Sequence, residues 1–591
     1  MRELSFTSRI FIRLLIGFVL VSMIDTVNSM IDGIVIARFV GGSARNVMAL
    51  FFPIQLLFSL FTDTLISGSG TICSKYLGKA NAKKAGEIYT CVGFVLLVVS
   101  LLFTFVLCVF PETIAKMLMF GETNTDAVKT MAIYLRYRGF GTPAVFLMPL
   151  FFSIIQVEGK ARICNISVLF GAVVNVGLDL LGVFVFDGGI AGIGLATSLS
   201  VFAGLLVLVI YYFSHNTLVR FDFRHLWDKE IFDVIKSGMY VSVIIFSAFI
   251  RTNVINWLIL HYEGETGLLA YSLFCIYRGI IVSFAIGIWN TAILMLGVYK
   301  GEENFAEIRA FIKNAIVYMF GFLSIIAVVT VVASPLLVRI VTTDRGETAR
   351  LVKLFLIPFA LSLPSMGVAM FSRAYFQNLG KNMTGFWFAC AKEALIPIPL
   401  FIFMGAAMGI KGVAFANGLE SLIFVVVLAV YFMIMFLVNR REFRKMMYFE
   451  DAWLDGECAL MQNKIYSLDD VSKASEKVYD FCNEHGRGKM ALKLSLAVEE
   501  LGNNIFTYSD VENCEMDINV RIKKDDTILS IRDNGKLFDP NKWLSLHETD
   551  EDKVKNLGLR MILQLNRKVE YVTVFDMNFL QISLGEGAVK Q

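Results

Sequence analysis

The feature that most limits this chain is a change of character near Arg440. About 440 residues of almost unbroken apolar segments come before it, and about 150 residues of ordinary soluble sequence follow. With 56% hydrophobic residues, 18% charged residues and a mean hydropathy of +0.65, the first part cannot bury its apolar surface inside a water-soluble globule. It must use lipid as solvent. The formal charge of +3 carries no information about partners, and no basic run points to nucleic acid. The first apolar segment is too long for a signal peptide and lacks a small-residue cleavage site, so it reads as an uncleaved first span. Nine scattered cysteines form no CxxC pair and suggest neither a zinc site nor a disulfide framework.

A helix needs about 20 apolar residues to cross a bilayer. That ruler predicts twelve spans, near 10–36, 47–74, 88–110, 129–156, 163–184 and 190–213, then 232–260, 267–297, 308–333, 348–376, 385–407 and 411–437. Basic loops follow the second span (Lys75, Lys79, Lys83, Lys84), the fourth (Lys160, Arg162), the sixth (Arg220, Arg224, Lys229, Lys236) and the twelfth (Arg440, Arg441, Arg444, Lys445). By the positive-inside rule both termini and the soluble part face the cytoplasm. The protein is thus expected to be multi-pass in the inner (plasma) membrane, in contact with lipid.

The spans repeat in two sets of six. Pro143 and Pro364 stand 221 residues apart, as do Glu158-Gly-Lys160 and Leu379-Gly-Lys381. Leu77-Gly-Lys79 answers Tyr299-Lys-Gly301, and Gly189-Ile-Ala-Gly192 answers Gly409-Ile-Lys-Gly412. An even number of spans returns the chain to one side, so the halves are parallel repeats about an axis normal to the membrane. A carrier with its substrate path between two lobes follows from such symmetry.

Ionisable residues inside a membrane are functional candidates, because an aspartate at mid-bilayer costs roughly 2.5–3.5 kcal/mol on insertion scales. The first lobe holds Asp25, Asp32 and Asp179 in apolar segments, and Asn175 shares a helix face with Asp179 at i, i+4. These oxygens suit sodium, and a titratable carboxylate suits a proton. The alternative is a helix-end aspartate, Asp32, with an asparagine–aspartate pair that only packs the bundle. The second lobe carries Arg251, Asn253, Asn256, Arg278, Arg373, Lys392 and Glu393 in or near apolar segments. There Arg278 and Glu393 either pair or snorkel apart to the interface.

Several stretches resemble the multidrug and toxic compound extrusion (MATE) family. They are Ile31-Asp-Gly33 leading to Val40-Gly-Gly42, Pro53 followed by Ser67-Gly-Ser-Gly70 and Tyr76-Leu-Gly-Lys79, and Gln156-Val-Glu-Gly-Lys160. Asn175-Val-Gly-Leu-Asp179, Gly189-Ile-Ala-Gly192 and Ala196-Thr197 complete the set. The resemblance covers residues 10–438. It implies a two-lobed bundle that alternates access and exports a small organic solute, often a cation, against inward Na+ or H+. It also implies cation coupling through Asp32, Asn175 and Asp179, with Thr197 as an addition. Some branches of that family carry an acidic residue in the seventh helix, where this chain has Asn253 and Asn256.

Beyond residues 441–464, read as a linker, the period changes to an amphipathic helix and then to alternating strands, Met516–Ile522 and Thr527–Arg532. An α+β sandwich with one sheet covered by helices fits that order. Glu500 and Asn504 face the same way on a helix over 492–508. Asp533-Asn-Gly535 leaves a strand into a turn, where the carboxylate can accept from an adenine amino group and the glycine permits close approach. Asn556-Leu-Gly558 opens a further helix whose free amides can receive phosphate. With Ala497-Val-Glu-Glu500, Leu537-Phe-Asp-Pro540 and Asn578, these residues resemble the Bergerat-fold ATPases, nearest the anti-sigma-factor serine kinases. The resemblance implies ATP and Mg2+ as ligands, Glu500 as general base and Asn504 as magnesium ligand. Asp533 and Gly535 would then meet adenine, Gly558 would belong to the ATP lid, and a serine/threonine kinase acting on a cytosolic anti-sigma antagonist or other regulatory protein becomes possible. Lys555 and Asn556 stand where that family keeps two glycines. His485 lies inside the domain, so it is poorly placed as a phosphoacceptor.

The sequence therefore predicts an all-α polytopic membrane protein with lobes at 1–220 and 221–440, followed by a nucleotide-binding domain at 465–591. The leading function is ion-coupled export under nucleotide control. A transporter-like sensor that signals through the kinase domain, or a flippase of lipid-linked precursors, are the alternatives.

Overall fold

The computed structural model describes residues 6–439 and 457–585, apart from 36–41, 119–124, 186–187, 216, 225, 303–304, 342–345, 379–381, 510, 512–513, 524–525 and 540–567. Among the described residues nine helices are long and apolar enough to cross a bilayer. Glu347–Leu361 and Leu363–Asn378, bent by 56°, make a tenth if counted as one broken span. Pro358 lies within the first of that pair and removes a backbone donor just before the break. The helix Ile231–Gly301 has 71 residues, and at 1.5 Å each an unbroken rod would run about 107 Å, more than three bilayer cores. It breaks at Gly264 (φ 61°, ψ −149°), and so provides the seventh and eighth spans. With Phe6–Val35 as the first span, twelve crossings are accounted for.

The two lobes meet through glycine along the second span. A Cβ on Gly68 would stand 2.1 Å from the carbonyl oxygen of Val234, and one on Gly238 would stand 1.9 Å from that of Thr64. The repeat-related Gly78 and Gly301 abut each other, a Cβ on either falling within 2.9 Å of the other's Cα. Thr64 and Ser242 hydroxyls bond at 2.6 Å, and Gln377 donates to Ser67 at 2.8 Å. These contacts lie toward the ends of the spans nearest the soluble domain. The lobes are closed together on that side.

The soluble domain is a five-stranded antiparallel sheet, β1 (Glu457–Ile465), β2 (Met516–Lys523), β3 (Asp526–Asp533), β4 (Lys568–Val574) and β5 (Met577–Gly585), in the order β1-β2-β3-β5-β4. β1 occupies the last part of the stretch read as a linker, so the domain begins at least eight residues before 465. Its short run of alternation, Ala459 to Ile465, is masked in sequence by the acidic residues ahead of it. Alternate residues Met516, Ile518, Val520, Leu529, Ile531, Leu580 and Ile582 point at the helices Leu468–Glu484 and Gly488–Tyr508 and form one core with Val471, Leu494 and Val498. The other face carries Asn519, Arg521, Ser530 and Arg532, polar yet buried. What buries it is the membrane half.

Candidate functional site

In the first lobe, Asn175 and Asp179 lie on the helix Ala161–Phe184, both fully buried, and Asn175 Nδ2 donates to Asp179 Oδ2 at 3.1 Å. The i, i+4 spacing places amide and carboxylate on one helix face as expected. Phe6–Val35, which contains Asp32, packs against this helix, but the Asp32 and Asp25 side chains lie outside the described residues. Thr197, on the adjoining helix Gly189–Ser214, donates its hydroxyl to the Ile193 carbonyl at 2.9 Å and so is tied to its own backbone. Sequence reading overlooked Asp63, flanked by two threonines within the span Pro53–Gly78, where its side chain is exposed. The intramembrane-carboxylate rule alone was enough to find it.

The second lobe differs. Arg251, Arg373, Lys392, Glu393 and Glu420 are all buried. Arg251 reaches Glu393 at 3.0 Å and Glu420 at 3.4 Å, Lys392 reaches Glu420 at 3.3 Å, and Arg373 also pairs with Glu393. The alternatives open for Arg278 and Glu393 are therefore both replaced: Glu393 pairs with two other arginines. Glu420 was not foreseen, because one carboxylate in a long apolar helix gives no hint of partners on two other spans. Lys392 and Glu393 share a π-helical turn, Ala391–Leu395, whose widened backbone puts both adjacent charges inside the lobe.

In the soluble domain Glu500 and Asn504 stand on Gly488–Tyr508, with Asn504 Nδ2 donating to Glu500 Oε1 at 3.3 Å. That geometry leaves the Asn504 amide oxygen able to meet a hard cation such as magnesium, which oxygen ligands suit. Asp533 ends β3 and is buried; its Oδ1 accepts from Gly535 N at 2.9 Å and from Asn578 Nδ2 at 2.8 Å. Asn578 is itself held by the Tyr571 hydroxyl at 2.5 Å and by Phe538 N at 3.3 Å. Burial pushes the Asp533 carboxyl up to about 6, so near neutral pH it remains an ionised acceptor. A Cβ on Gly535 would lie 3.5 Å from both Ile505 and Ser509, which brings the Asp533 turn against the helix of Asn504. Gly558, Lys555 and Asn556 lie outside the described residues.

The free face of this sheet rests on both lobes. Arg532, the neighbour of Asp533, forms a buried ion pair with Glu302 at the end of the eighth span, and its guanidinium lies 5.0 Å from the Tyr299 ring centroid. Lys464 of β1 reaches Glu307 at 3.3 Å. On the first lobe, the turn between β4 and β5 seats against the end of the fourth span. Phe575 N donates to the Val157 carbonyl at 2.9 Å and Lys160 pairs with Asp576 at 2.6 Å. Phe575 and Asp576 both have positive φ (57° and 64°), as the two-residue hairpin turn between the paired Val574 and Met577 requires. Opposite them Gly159 has φ +83°, and a Cβ there would come within 2.6 Å of Asp576 N. Val572, Val574, Met577 and Phe579 join the apolar cluster of the membrane half.

Comparison with known proteins agrees with both halves. The family model described as MatE matches residues 18–181 and 239–403, one segment in each repeat. The model described as histidine kinase-like ATPase domain matches residues 467–583. The Multidrug export protein MepA of Staphylococcus haemolyticus is 22% identical over 402 residues, covering 67% of this chain and 87% of that protein. Its namesake in Staphylococcus aureus is 22% identical over 411 residues, covering 67% and 88%. Among solved structures, a MATE protein in complex with MaL6 superposes with a TM-score of 0.67 at 18% identity, over 74% of this chain and 98% of that one. A MOP superfamily transporter from Pyrococcus furiosus, described as having a binding pocket of reverse polarity, superposes at 0.65 and 18% identity, over 71% and 94%. The two MatE segments together span more than half of the residues, so the chain belongs to the MatE family, with a histidine kinase-like ATPase domain joined after its second repeat.

Proposed function

We propose that this protein exports small organic solutes from the cytoplasm across the plasma membrane, driven by inward sodium or proton flow, and that its nucleotide-binding domain controls the carrier. The observation that carries the reading is the seat of that domain. One sheet face spans both lobes on the side where they are closed, through Arg532–Glu302 on one and Lys160–Asp576 on the other. An alternating-access carrier must part its lobes on that side to load from it, so the seated domain acts as a brace. The basic loops support a cytoplasmic position for this side. Nucleotide held by Asp533 sits one residue from Arg532, close enough to bias the seat.

Asp179, with Asn175 and Asp32, would take the coupling cation, and Thr197 would stand by. The names of the staphylococcal relatives support small organic solutes as cargo. In the domain, Glu500 would serve as general base and Asn504 would hold Mg2+ against the ATP phosphates, with phosphoryl transfer to a regulatory protein as its enzymatic use. Export power does not come from ATP in this reading, since a single nucleotide unit without a Walker A sequence is present among the residues given.

The test is efflux of ethidium from vesicles holding the full chain, under an imposed sodium or pH gradient, with and without Mg-ATP on the domain side. Gradient-driven flux that changes with nucleotide, and that Asn504→Ala makes blind to nucleotide, supports the proposal. ATP-driven flux without any gradient would overturn the coupling, and flux indifferent to nucleotide would overturn the control. The seat on both lobes also favours a second reading, a sensor whose lobe movement alters the kinase; binding of solute with no flux would select it.

A further inference from the structure

We infer that the foot of the first span positions the nucleotide site through Arg9 and Arg13, so that nucleotide and coupling cation each change the other's affinity. This builds on the proposed adenine role of Asp533 and the proposed coupling role of Asp179. Arg9 and Arg13 stand at i, i+4 on Phe6–Val35 and share one face of it. Arg9 Nη2 meets Glu515 Oε1 at 2.6 Å. Glu515 comes just before β2, whose first residue, Met516, pairs with Asp533 across the sheet. Glu515 also grips the turn after Asp533. Its backbone N donates to Asn534 Oδ1 at 2.7 Å, and its carbonyl accepts from Asn534 N at 3.4 Å. Arg13 comes within 3.8 Å of Asp576 on the hairpin between β4 and β5. Two residues on, Asn578 donates to Asp533 Oδ1 at 2.8 Å. One helix face therefore touches both chain segments that hold the Asp533 turn.

The same helix is wedged between elements of both lobes. A Cβ on Gly17 would stand 2.9 Å from the Cβ of Ala161, the first residue of the helix that carries Asn175 and Asp179. On the other lobe, a Cβ on Gly287 would stand 2.5 Å from Val19 Cγ2, and the Thr26 and Ser283 hydroxyls lie 3.3 Å apart. Phe11 packs edge-on against Phe311 of the ninth span, with ring centroids 5.7 Å apart. With so little clearance the first span cannot shift against either lobe without carrying Arg9 and Arg13 along. The Arg9 and Glu515 side chains are 28% and 22% exposed, and ion pairs this open to water contribute little to the stability of a fold. What they supply is direction, since they hold the Asp533 turn to one position of the first span. By linkage, whatever cation occupancy does to that span alters nucleotide affinity, and nucleotide alters cation affinity by the same factor.

The test reads nucleotide affinity and does not depend on flux. Full-length protein in an uncharged detergent is titrated with ATP and Mg2+ in competition with a fluorescent probe, trinitrophenyl-ATP. Arg9→Glu should weaken ATP about tenfold, because it faces Glu515 with a like charge. Adding Glu515→Arg to it should restore affinity to within about twofold, a rescue that general loss of fold would not give. Asp179→Asn, which leaves the proposed coupling site neutral, should shift ATP affinity by about threefold or more in the otherwise unaltered chain. Beside Arg9→Gln and Arg13→Gln together, the same change should shift it by less than about 1.5-fold. If the unaltered protein binds no ATP, the nucleotide reading falls and this inference falls with it. If it binds ATP but Arg9→Glu stays within about twofold of it, or the exchanged pair gives no rescue, the positioning role alone is overturned. If Asp179→Asn has the same effect with and without the two arginines, the linkage through the first span is overturned, and nucleotide control of the carrier still stands.

Discussion

The two lobes share one plan of six spans and differ in what they bury. The first encloses a buried amide–carboxylate pair on one helix, Asn175 with Asp179. The second encloses five linked charges drawn from several spans, Arg251, Arg373, Lys392, Glu393 and Glu420. A repeat fixes the path of the chain and leaves the interior of each copy free to take its own chemistry. A carboxylate not tied to a buried cation network is suited to one small cation. A network of three cations on two acids is stiff. In the proposed reading the pseudo-symmetry organises the movement of the lobes, while the first lobe takes the driving ion.

The sharpest way to break this comparison is Asp179→Asn. Removing the carboxylate of the Asn175–Asp179 pair should lower gradient-driven efflux by about 100-fold or to background, with ethidium affinity changed by no more than about threefold. Thermal unfolding should hardly move, because an uncharged amide is easier to keep in an apolar lobe than a carboxylate. Flux that survives would mean that the first lobe does not couple.

Glu393→Gln asks the same of the other lobe and should give the reverse pattern. It leaves Arg251 with Glu420 and takes from Arg373 the carboxylate it pairs with, and breaking a buried pair in this way typically costs about 3–5 kcal/mol. The unfolding midpoint should fall by several degrees, whereas Asp179→Asn leaves it in place. Equal stability in the two variants would remove the distinction between the linked charge network and the Asn175–Asp179 pair.

The soluble domain extends the contrast, because Asp533 is a buried carboxylate that we propose meets adenine. Its carboxyl titrates near 6, above the ordinary aspartate value of 3.8. A raised folded value means that burial disfavours the charged form, so the contribution of this group to stability declines as pH rises from about 4 through 6. Asp533→Asn should therefore be neutral or stabilising at pH 7 while nucleotide binding is lost. In the unaltered protein, ATP affinity should fall by up to about tenfold per pH unit below 6, as the acceptor takes up a proton. Isothermal titration across pH 5 to 8 measures both, and a flat profile would remove Asp533 from the adenine pocket.

The parts of the molecule that were legible in sequence are those governed by period and length. Twelve apolar runs, the offset between Pro143 and Pro364, and the alternation of Met516–Ile522 each report a single element or its repetition. The pair Asn175 and Asp179 was legible for the same reason, since one helix carries both. What stayed hidden depends on which elements meet. Glu420 finds its cations on the seventh and eleventh spans, and Arg532, which reads as the polar side of a half-exposed strand, is buried against Glu302, 230 residues away in sequence. A two-faced sheet looks the same in sequence whether its polar face meets water or the ends of a membrane bundle. β1 was missed because Ala459 to Ile465 is short and follows acidic residues that read as linker.

Thr197 offers the smallest effect and the finest edge to the comparison. The family resemblance adds it to the coupling residues, yet its hydroxyl is bonded to the Ile193 carbonyl one turn back, an arrangement that satisfies the group within its own helix. A coupling ion would have to compete with that bond. Thr197→Val keeps the branched shape and removes only the hydroxyl, so export should change by no more than about twofold, within the worth of one local hydrogen bond. Thr197→Ser, which keeps the hydroxyl, should be equally mild. If valine instead lowers export by tenfold while serine preserves it, the hydroxyl leaves its backbone partner during transport and joins Asp179. The acidic site of the first lobe would then draw on a third helix in the working cycle, more like the multi-helix network of the second lobe than the resting geometry implies.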